Sequence, residues 1–376
     1  MEQLLLPFNK SKKDHYNSIA KINIPRHIII KIIEAGIQAP SADNMQPWRF
    51  MLLANGLELW INEKSKGHFF DHKDIATYYS CGAVLENIVS YSKFLNLEAT
   101  VNFNKSGSNK IAEIFFREKS NYQEDNLSKA IFQRCTDRNL FKFKEKIPQT
   151  VINNLKAIFQ TTTAYQLYDY GEPKMKQEMT EIITAVDAIR FSHEKIHHDF
   201  YEILRFGKTA SILKDGLAEN TLGVESIFVP PLKLLKSWSI TKTLNYFGLH
   251  HLMAFRSTWL PMKSSSNIMA ITHSGPANYI EFGKVMQSFW LNATLAGLSV
   301  QPLGAMPLLL SRIELSNGLG LNQKQINKLI SLKNRFCQIT SNFNKDTDQM
   351  VMLFRLGYSK KTPYRSFRKS VEFFLI

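Results

Sequence analysis

The sequence predicts an α+β protein built as two related lobes in one chain. Three observations lead there. Apolar runs with helical spacing alternate with short apolar runs of strand length. Asn55-Gly56 stands between Phe50-Met51-Leu52-Leu53 and Leu57-Glu58-Leu59-Trp60-Ile61, a strong hairpin signal. The order of elements then restarts about two hundred residues further on. Gly82-x-Val84 returns as Gly283-x-Val285, Leu97-x-x-x-Val101 resembles Leu298-Ser299-Val300, and Ile111–Phe116 corresponds to Met350–Leu356 at a larger offset.

Residues 1–22 are mixed and basic and read as an N-terminal arm over the surface. Pro25 suits a first helical turn, and Ile28, Ile29, Ile32, Ile33 and Ile37 follow at helical spacing. A turn, Pro40–Trp48, leads into the hairpin. Tyr78–Leu95 is apolar over much of its circumference and predicts a buried helix, with Glu98–Phe103 and Ile111–Phe116 as strands. Residues 23–119 thus form a first lobe of helix, hairpin, helix, strand, strand. Asn121–Asp125 is a polar linker, and residues 126–376 form the second lobe. A long insertion, about 185–263, shows no strand alternation and reads as a helical lid or inter-lobe arm. Asn267–Thr272 resumes the sheet, Pro276–Ala296 is the paired helix, and Arg355-Leu356-Gly357-Tyr358 is the last strand before a basic tail.

The 376 residues suffice for one large or two ordinary domains. Apolar (44%) and charged (21%) fractions fit a globular protein and exclude a disordered one. A net charge of +15 favours anionic partners, but the excess is spread along the chain and no nucleic-acid-binding signature is present. Met1–Asn23 lacks a signal-peptide pattern and no apolar run reaches membrane-helix length. Cys81, Cys135 and Cys337 are dispersed, which suits packing thiols in a reducing cytoplasm.

Two stretches carry chemistry. Pro40-Ser41-Ala42-Asp43-Asn44-Met45-Gln46-Pro47-Trp48 is stiffened by a proline near each end and carries two carboxamides, each both donor and acceptor. Such a loop matches a planar heterocycle; the same residues also simply punctuate a helix-to-strand turn. In Arg134-Cys135-Thr136-Asp137-Arg138, alternate side chains of an extended segment face one way. Two guanidiniums and a hydroxyl then converge on one phosphate, or Thr136 caps the next helix beside solvated arginines.

Ala39-Pro40-Ser41-Ala42-x-Asn44-x-Gln46-Pro47-Trp48 resembles the flavin-side loop of the nitroreductase superfamily, and Arg134-x-Thr136-x-Arg138 resembles the Arg-x-Ser-x-Arg segment that holds FMN phosphate there. The first lobe has the loop without the arginine segment. The second has the arginine segment, but Phe159-Gln160-Thr161-Thr162-Thr163-Ala164 where a second loop belongs. This arrangement resembles the Acg-type, tandem-lobed branch, with further likeness at Ser80–Ala83, Arg134–Phe141 and Arg355–Arg368. The resemblance implies antiparallel-rich sheets covered by helices and one composite FMN site in a monomer acting as an internal pseudo-dimer. It implies a cofactor set of Pro40, Ser41, Ala42, Asn44, Gln46, Arg134, Thr136, Arg138, Pro302, Leu303, Gly304, Arg365 and Arg368. Asn44 and Gln46 are expected to orient the ring; the tail arginines also fit a merely solvated end. The implied activity is two-electron transfer from NAD(P)H to an electron-poor acceptor such as a nitroaromatic or quinone. The implied partners are small molecules, without nucleic acid or membrane. The rival is an FMN-sequestering protein whose insertion seals the site. A third reading, a basic nucleic-acid binder, predicts salt-sensitive DNA retention.

His193-Glu194-Lys195-Ile196-His197 matches H-E-x-x-H, which on a buried helix presents two ligands to zinc. Lys195 and the following His198-Asp199 argue instead for a solvated lid helix, and no metal is expected.

Overall fold

A computed structural model describes residues 24–65, 68–104, 108–119, 126–160 and 164–376. The N-terminal arm, the Asn121–Asp125 linker and Thr161–Thr163 lie outside the described residues.

Helix α1 (Arg26–Gly36) starts behind Pro25 and buries Ile29, Ile32 and Ile33. Strands β1 (Trp48–Leu53) and β2 (Gly56–Ile61) form the hairpin, with Leu53 opposite Gly56. A Cβ on Gly56 would stand 2.1 Å from the Ile114 carbonyl oxygen, so no larger residue fits there. Helix α2 (Ile75–Phe94) is buried along most of its length, as its apolar circumference predicts. β3 (Leu97–Phe103) and β4 (Lys110–Glu118) complete an antiparallel sheet in the order β1-β2-β4-β3.

The second lobe opens with α3 (Leu127–Ile131), α4 (Gln149–Ala157) and β5 (Tyr165–Asp169). The connection from β5 to the next sheet strand spans residues 170–266. It holds α5 (Pro173–Phe191), α6 (Glu194–Ile203), a short parallel pair β6 (Leu204–Arg205) and β7 (Leu217–Ala218), and α7 (Thr209–Leu213) between them. The helices α8 (Val229–Leu234), α9 (Trp238–Tyr246) and α10 (Leu249–Ala254) follow, and a π-helical turn leads to α11 (Leu260–Ser264). Then come β8 (Asn267–Ser274), α12 (Tyr279–Leu295), β9 (Ser299–Leu303), α13 (Ala305–Ser316), α14 (Gln323–Ile339), β10 (Asp348–Gly357) and α15 (Val371–Phe374).

This sheet is also antiparallel and runs β5-β8-β10-β9, the order of the first lobe element for element. The chain is therefore two related lobes. The larger offset of the last strand has a simple cause. Helices α13 and α14 are inserted between β9 and β10, whereas β3 reaches β4 directly.

The lobes meet along α2 and α12. A Cβ on Gly82 would lie 2.0 Å from the Ile280 carbonyl oxygen, and one on Gly283 would lie 2.1 Å from that of Tyr79. The repeated glycines are thus the points where two helix backbones touch. Close by, Gln287 Nε2 donates to buried Asn87 Oδ1 at 2.7 Å, and Asn87 Nδ2 donates to the Ala35 carbonyl. One apolar core, including Val84, Ile88, Phe282, Trp290 and Phe354, crosses this interface. A second core, including Tyr170, Met179, Ile183, Leu309 and Phe336, joins α5, α13 and α14 to the outer face of the second sheet.

Helix α6 differs from the solvated helix expected at H-E-x-x-H: it buries Ile196, His197, Asp199, Tyr201 and Ile203. His193 caps it, accepting from the Ile196 N–H through Nδ1 while Nε2 faces the Gly320 carbonyl at 2.8 Å. His197 Nε2 meets the Leu235 carbonyl at 2.8 Å. Both imidazoles pin the insertion to its surroundings. Burial holds His197 below the usual histidine range.

Candidate arginine-lined site

Three distant stretches meet at one cleft. The Pro40–Trp48 loop follows α1 and is closed by Ser41 Oγ, which accepts from the Gln46 N–H at 3.0 Å. Asp43, Asn44 and Gln46 all take positive φ (51°, 58° and 52°). Asp and Asn tolerate that region, but Gln46 is held there against its preference. Its carboxamide shows what holds it: Nε2 donates to the Lys214 carbonyl at 2.7 Å and to that of Asn44 at 3.2 Å, while Oε1 accepts from the Lys369 N–H at 3.1 Å.

The second stretch leaves α3 in extended form. Thr136 bridges to Val300 of β9, and the Asp137 N–H donates to the Val300 carbonyl at 2.9 Å. Arg134, Thr136 and Arg138 line the cleft as alternation predicts, but Cys135 lines it too; Asp137 is buried and braces Asn139. Arg355, buried under β10, fixes this strand by donating to the Asp137 and Asn139 carbonyls.

The tail is the third stretch. Arg368 clamps the first loop, donating to the carbonyls of Ile37 (2.9 Å) and Ala39 (3.0 Å) and to Asn44 Oδ1 (2.6 Å). Arg365 donates to the Phe132 carbonyl.

Of the predicted residues, Pro40, Ser41, Asn44, Arg134, Thr136, Arg138, Arg365 and Arg368 line the cleft, together with Gln38, Asp43, Cys135, Leu217 and Ser366. Its enclosed volume is small, about 60 Å³. Among the described residues none of the four arginines is ion-paired with a carboxylate. Burial, then the charge of Arg368, pushes Arg134 down to about 9. Burial, then Arg365, pushes Arg368 to about 10, and burial also lowers Arg138. Arg134 stacks over Trp290 at 4.4 Å and donates to the Gln38 carbonyl, but its buried Nε has no hydrogen-bond partner. Four guanidiniums stand against one cleft carboxylate, Asp43, which acts on Arg138, and this positive excess favours an anion.

Two groups of expected residues are placed differently from the arginines. The Asn44 and Gln46 carboxamides are engaged by the protein itself. Asn44 Oδ1 takes Arg368 and its Nδ2 donates to the Phe367 carbonyl, so with Gln46 they are consumed in holding the tail and Lys214. Buried amides must be satisfied, and the positive-φ turn aims these two inward. Pro302, Leu303 and Gly304 do not line the cleft either, nor does Ala42. Pro302 and Leu303 pair with Phe354 and Leu353 of β10, and a Cβ on Gly304 would meet only Leu308 and Met352 side chains at ordinary distance.

Sequence reasoning passed over Asp43 and Leu217. Asp43 lies inside the quoted loop but carries no spacing signal; Leu217 belongs to the insertion, whose path is not readable from pattern. Asp43 also lines a second, more apolar cavity of about 70 Å³ under the insertion, walled in part by Phe70, Phe191, Phe200, Tyr201 and Leu235. Its dense surroundings raise the Asp43 carboxyl above its usual range.

Residues 20–101 match the nitroreductase family. The match covers α1, the loop, the hairpin, α2 and most of β3, and the fold is nitroreductase-like. No curated protein matches the chain. The chain is similar to a solved nitroreductase-like protein from Bacillus cereus, at 12% identity over 67% of this chain and 96% of that one, TM-score 0.32. It is also similar to an FMN-bound nitroreductase from Desulfitobacterium hafniense (13%, 66% and 96%, TM-score 0.35). A third is the FMN-dependent nitroreductase of Mycobacterium smegmatis in complex with NADPH (11%, 65% and 94%, TM-score 0.33).

Proposed function

We propose that the protein binds one FMN in the arginine-lined cleft and is an oxidoreductase of nitroreductase type, drawing on NAD(P)H. The observation that carries this reading is the convergence of Arg134, Thr136, Arg138, Arg365 and Arg368 with the family-matched Pro40–Asn44 loop. The phosphate end fits: among the described residues the four cleft guanidiniums form no ion pair, outnumber the one cleft carboxylate, Asp43, and include a buried Arg134 Nε without a hydrogen-bond partner. When bound, FMN supplies two-electron transfer between a nicotinamide and an electron-poor acceptor. The chain's own residues bind and orient. Arg134, Arg138 and Arg365 neutralise the phosphate, Thr136 offers a hydroxyl, and Arg368 keeps the loop in shape. The aromatic cavity that shares Asp43 with the cleft suits a flat acceptor.

The strand order shared by the lobes, with one loop and one arginine segment per chain, supports a monomer that acts as an internal pseudo-dimer of the tandem-lobed kind. We propose lobes at 23–119 and 126–376.

A second reading, FMN held without turnover, is favoured by one feature. Leu217 lines the cleft and the Lys214 carbonyl takes Gln46, so the insertion rests on the flavin loop. The test is a visible spectrum of the purified protein, then anaerobic addition of NADPH and NADH. Bleaching of a flavin spectrum supports the oxidoreductase. Flavin that stays oxidised with both donors supports sequestration. A colourless protein that fails to take up added FMN overturns both.

A further inference from the structure

We propose that the outer face of the insertion, α8 to α10, docks on an anionic lipid bilayer surface. The inference is independent of the flavin reading.

Helix α9 turns two polar residues inward: Thr241 is 2% exposed and its hydroxyl donates to the Leu235 carbonyl, and Asn245 Nδ2 donates to the Phe191 carbonyl at 3.1 Å. Ile240, Leu244 and Phe247, at i, i+4 and i+7, face solvent, Phe247 being 77% exposed. Ile227 and Leu234 before the helix and Leu252 after it are also exposed, Leu252 at 64%. Large apolar side chains gathered on one exposed segment mark an interaction surface.

Charge identifies the partner. From Ser226 to Ile280 the chain has no Asp or Glu, while Lys233, Lys236 and Lys242 lie among the exposed apolar residues. Among the described residues these three lysines form no ion pair. A second copy related by a two-fold axis would set the same lysines against themselves with no acid to meet them. An anionic bilayer takes both features, apolar side chains at the acyl boundary and ammonium groups among the headgroups. Among the described residues no helix is long and apolar enough to cross a membrane, so the contact is with one surface.

The test is flotation of the full chain with phosphatidylglycerol/phosphatidylcholine vesicles and with phosphatidylcholine vesicles. Co-flotation with the anionic vesicles alone, weakened by salt, is expected. Lys236→Gln with Lys242→Gln should weaken it ~25-fold, about fivefold per lysine. Leu244→Ser with Phe247→Ser should weaken it without altering the near-ultraviolet circular dichroism. Absence of flotation, or equal flotation with neutral vesicles, overturns the proposal. So does self-association in sedimentation that Phe247→Ser abolishes, which assigns the face to a second copy.

Discussion

Each lobe has its own four-stranded sheet of the same strand order, and the lobes differ in what hangs from it. The first joins its strands by the hairpin turn, by residues 62–96 with α2, and by a loop. The second carries residues 170–266 between β5 and β8, and α13 with α14 between β9 and β10. The sheets tolerate this because both additions leave from strand ends and bury a core of their own on the outer face. What cannot vary is the α2–α12 seam, where backbone meets backbone. The shared part of each lobe thus secures the fold, and the unshared part adds Leu217 to the cleft and the Lys214 carbonyl to the loop.

The largest expected effect breaks that seam. Gly82→Leu or Gly283→Leu drives a side chain into a carbonyl and should cost about 3 kcal/mol or more, read as loss of cooperative unfolding. Gly82→Ala and Gly283→Ala should be similarly harmful by thermal midpoint; a harmless change at one site would break the equivalence of the lobes. Next comes the cleft. Arg134→Ala or Arg138→Ala removes charge-assisted bonds worth about 1.5–3 kcal/mol each, so FMN affinity by fluorescence titration should fall about 10- to 150-fold. A smaller effect concerns the tail. Arg368→Ala frees Asn44 and the 365–369 segment, which should become cleavable in limited proteolysis while the sheets stay resistant.

The insertion should also respond to acid more than the first lobe does. Burial lowers His197 and His250, so the unfolded state takes up protons first as pH falls through about 6.5. Stability present above that pH should decline below it, reported by the fluorescence of Trp238, whose ring lies 5.0 Å from that of His197. The smallest effect sharpens the site's boundary. Gly304→Ala, with ordinary contacts and a negative φ, should leave FMN affinity within about twofold and stability within about 0.5 kcal/mol. A larger loss of affinity would return the Pro302–Gly304 turn to the flavin.

The sequence alone determined what is periodic or locally forced. Isoleucine spacing placed α1, Asn55-Gly56 placed the hairpin, and the restart of Gly-x-Val marked α12 as the counterpart of α2; that the two pack together came from the structure. Two-residue alternation put Arg134, Thr136 and Arg138 on one side, because side-chain direction in extended backbone is a local property. Only the tertiary structure decided where the carboxamides of Asn44 and Gln46 are spent, since their partners, Lys214, Phe367, Arg368 and Lys369, lie far away in the chain. It alone turned His193 and His197 into pins and put Leu217 beside the arginines. The physical reason is the same in each case: a polar group on a folded chain is satisfied by whatever backbone the rest of the molecule brings to it, and that distance is not written in spacing.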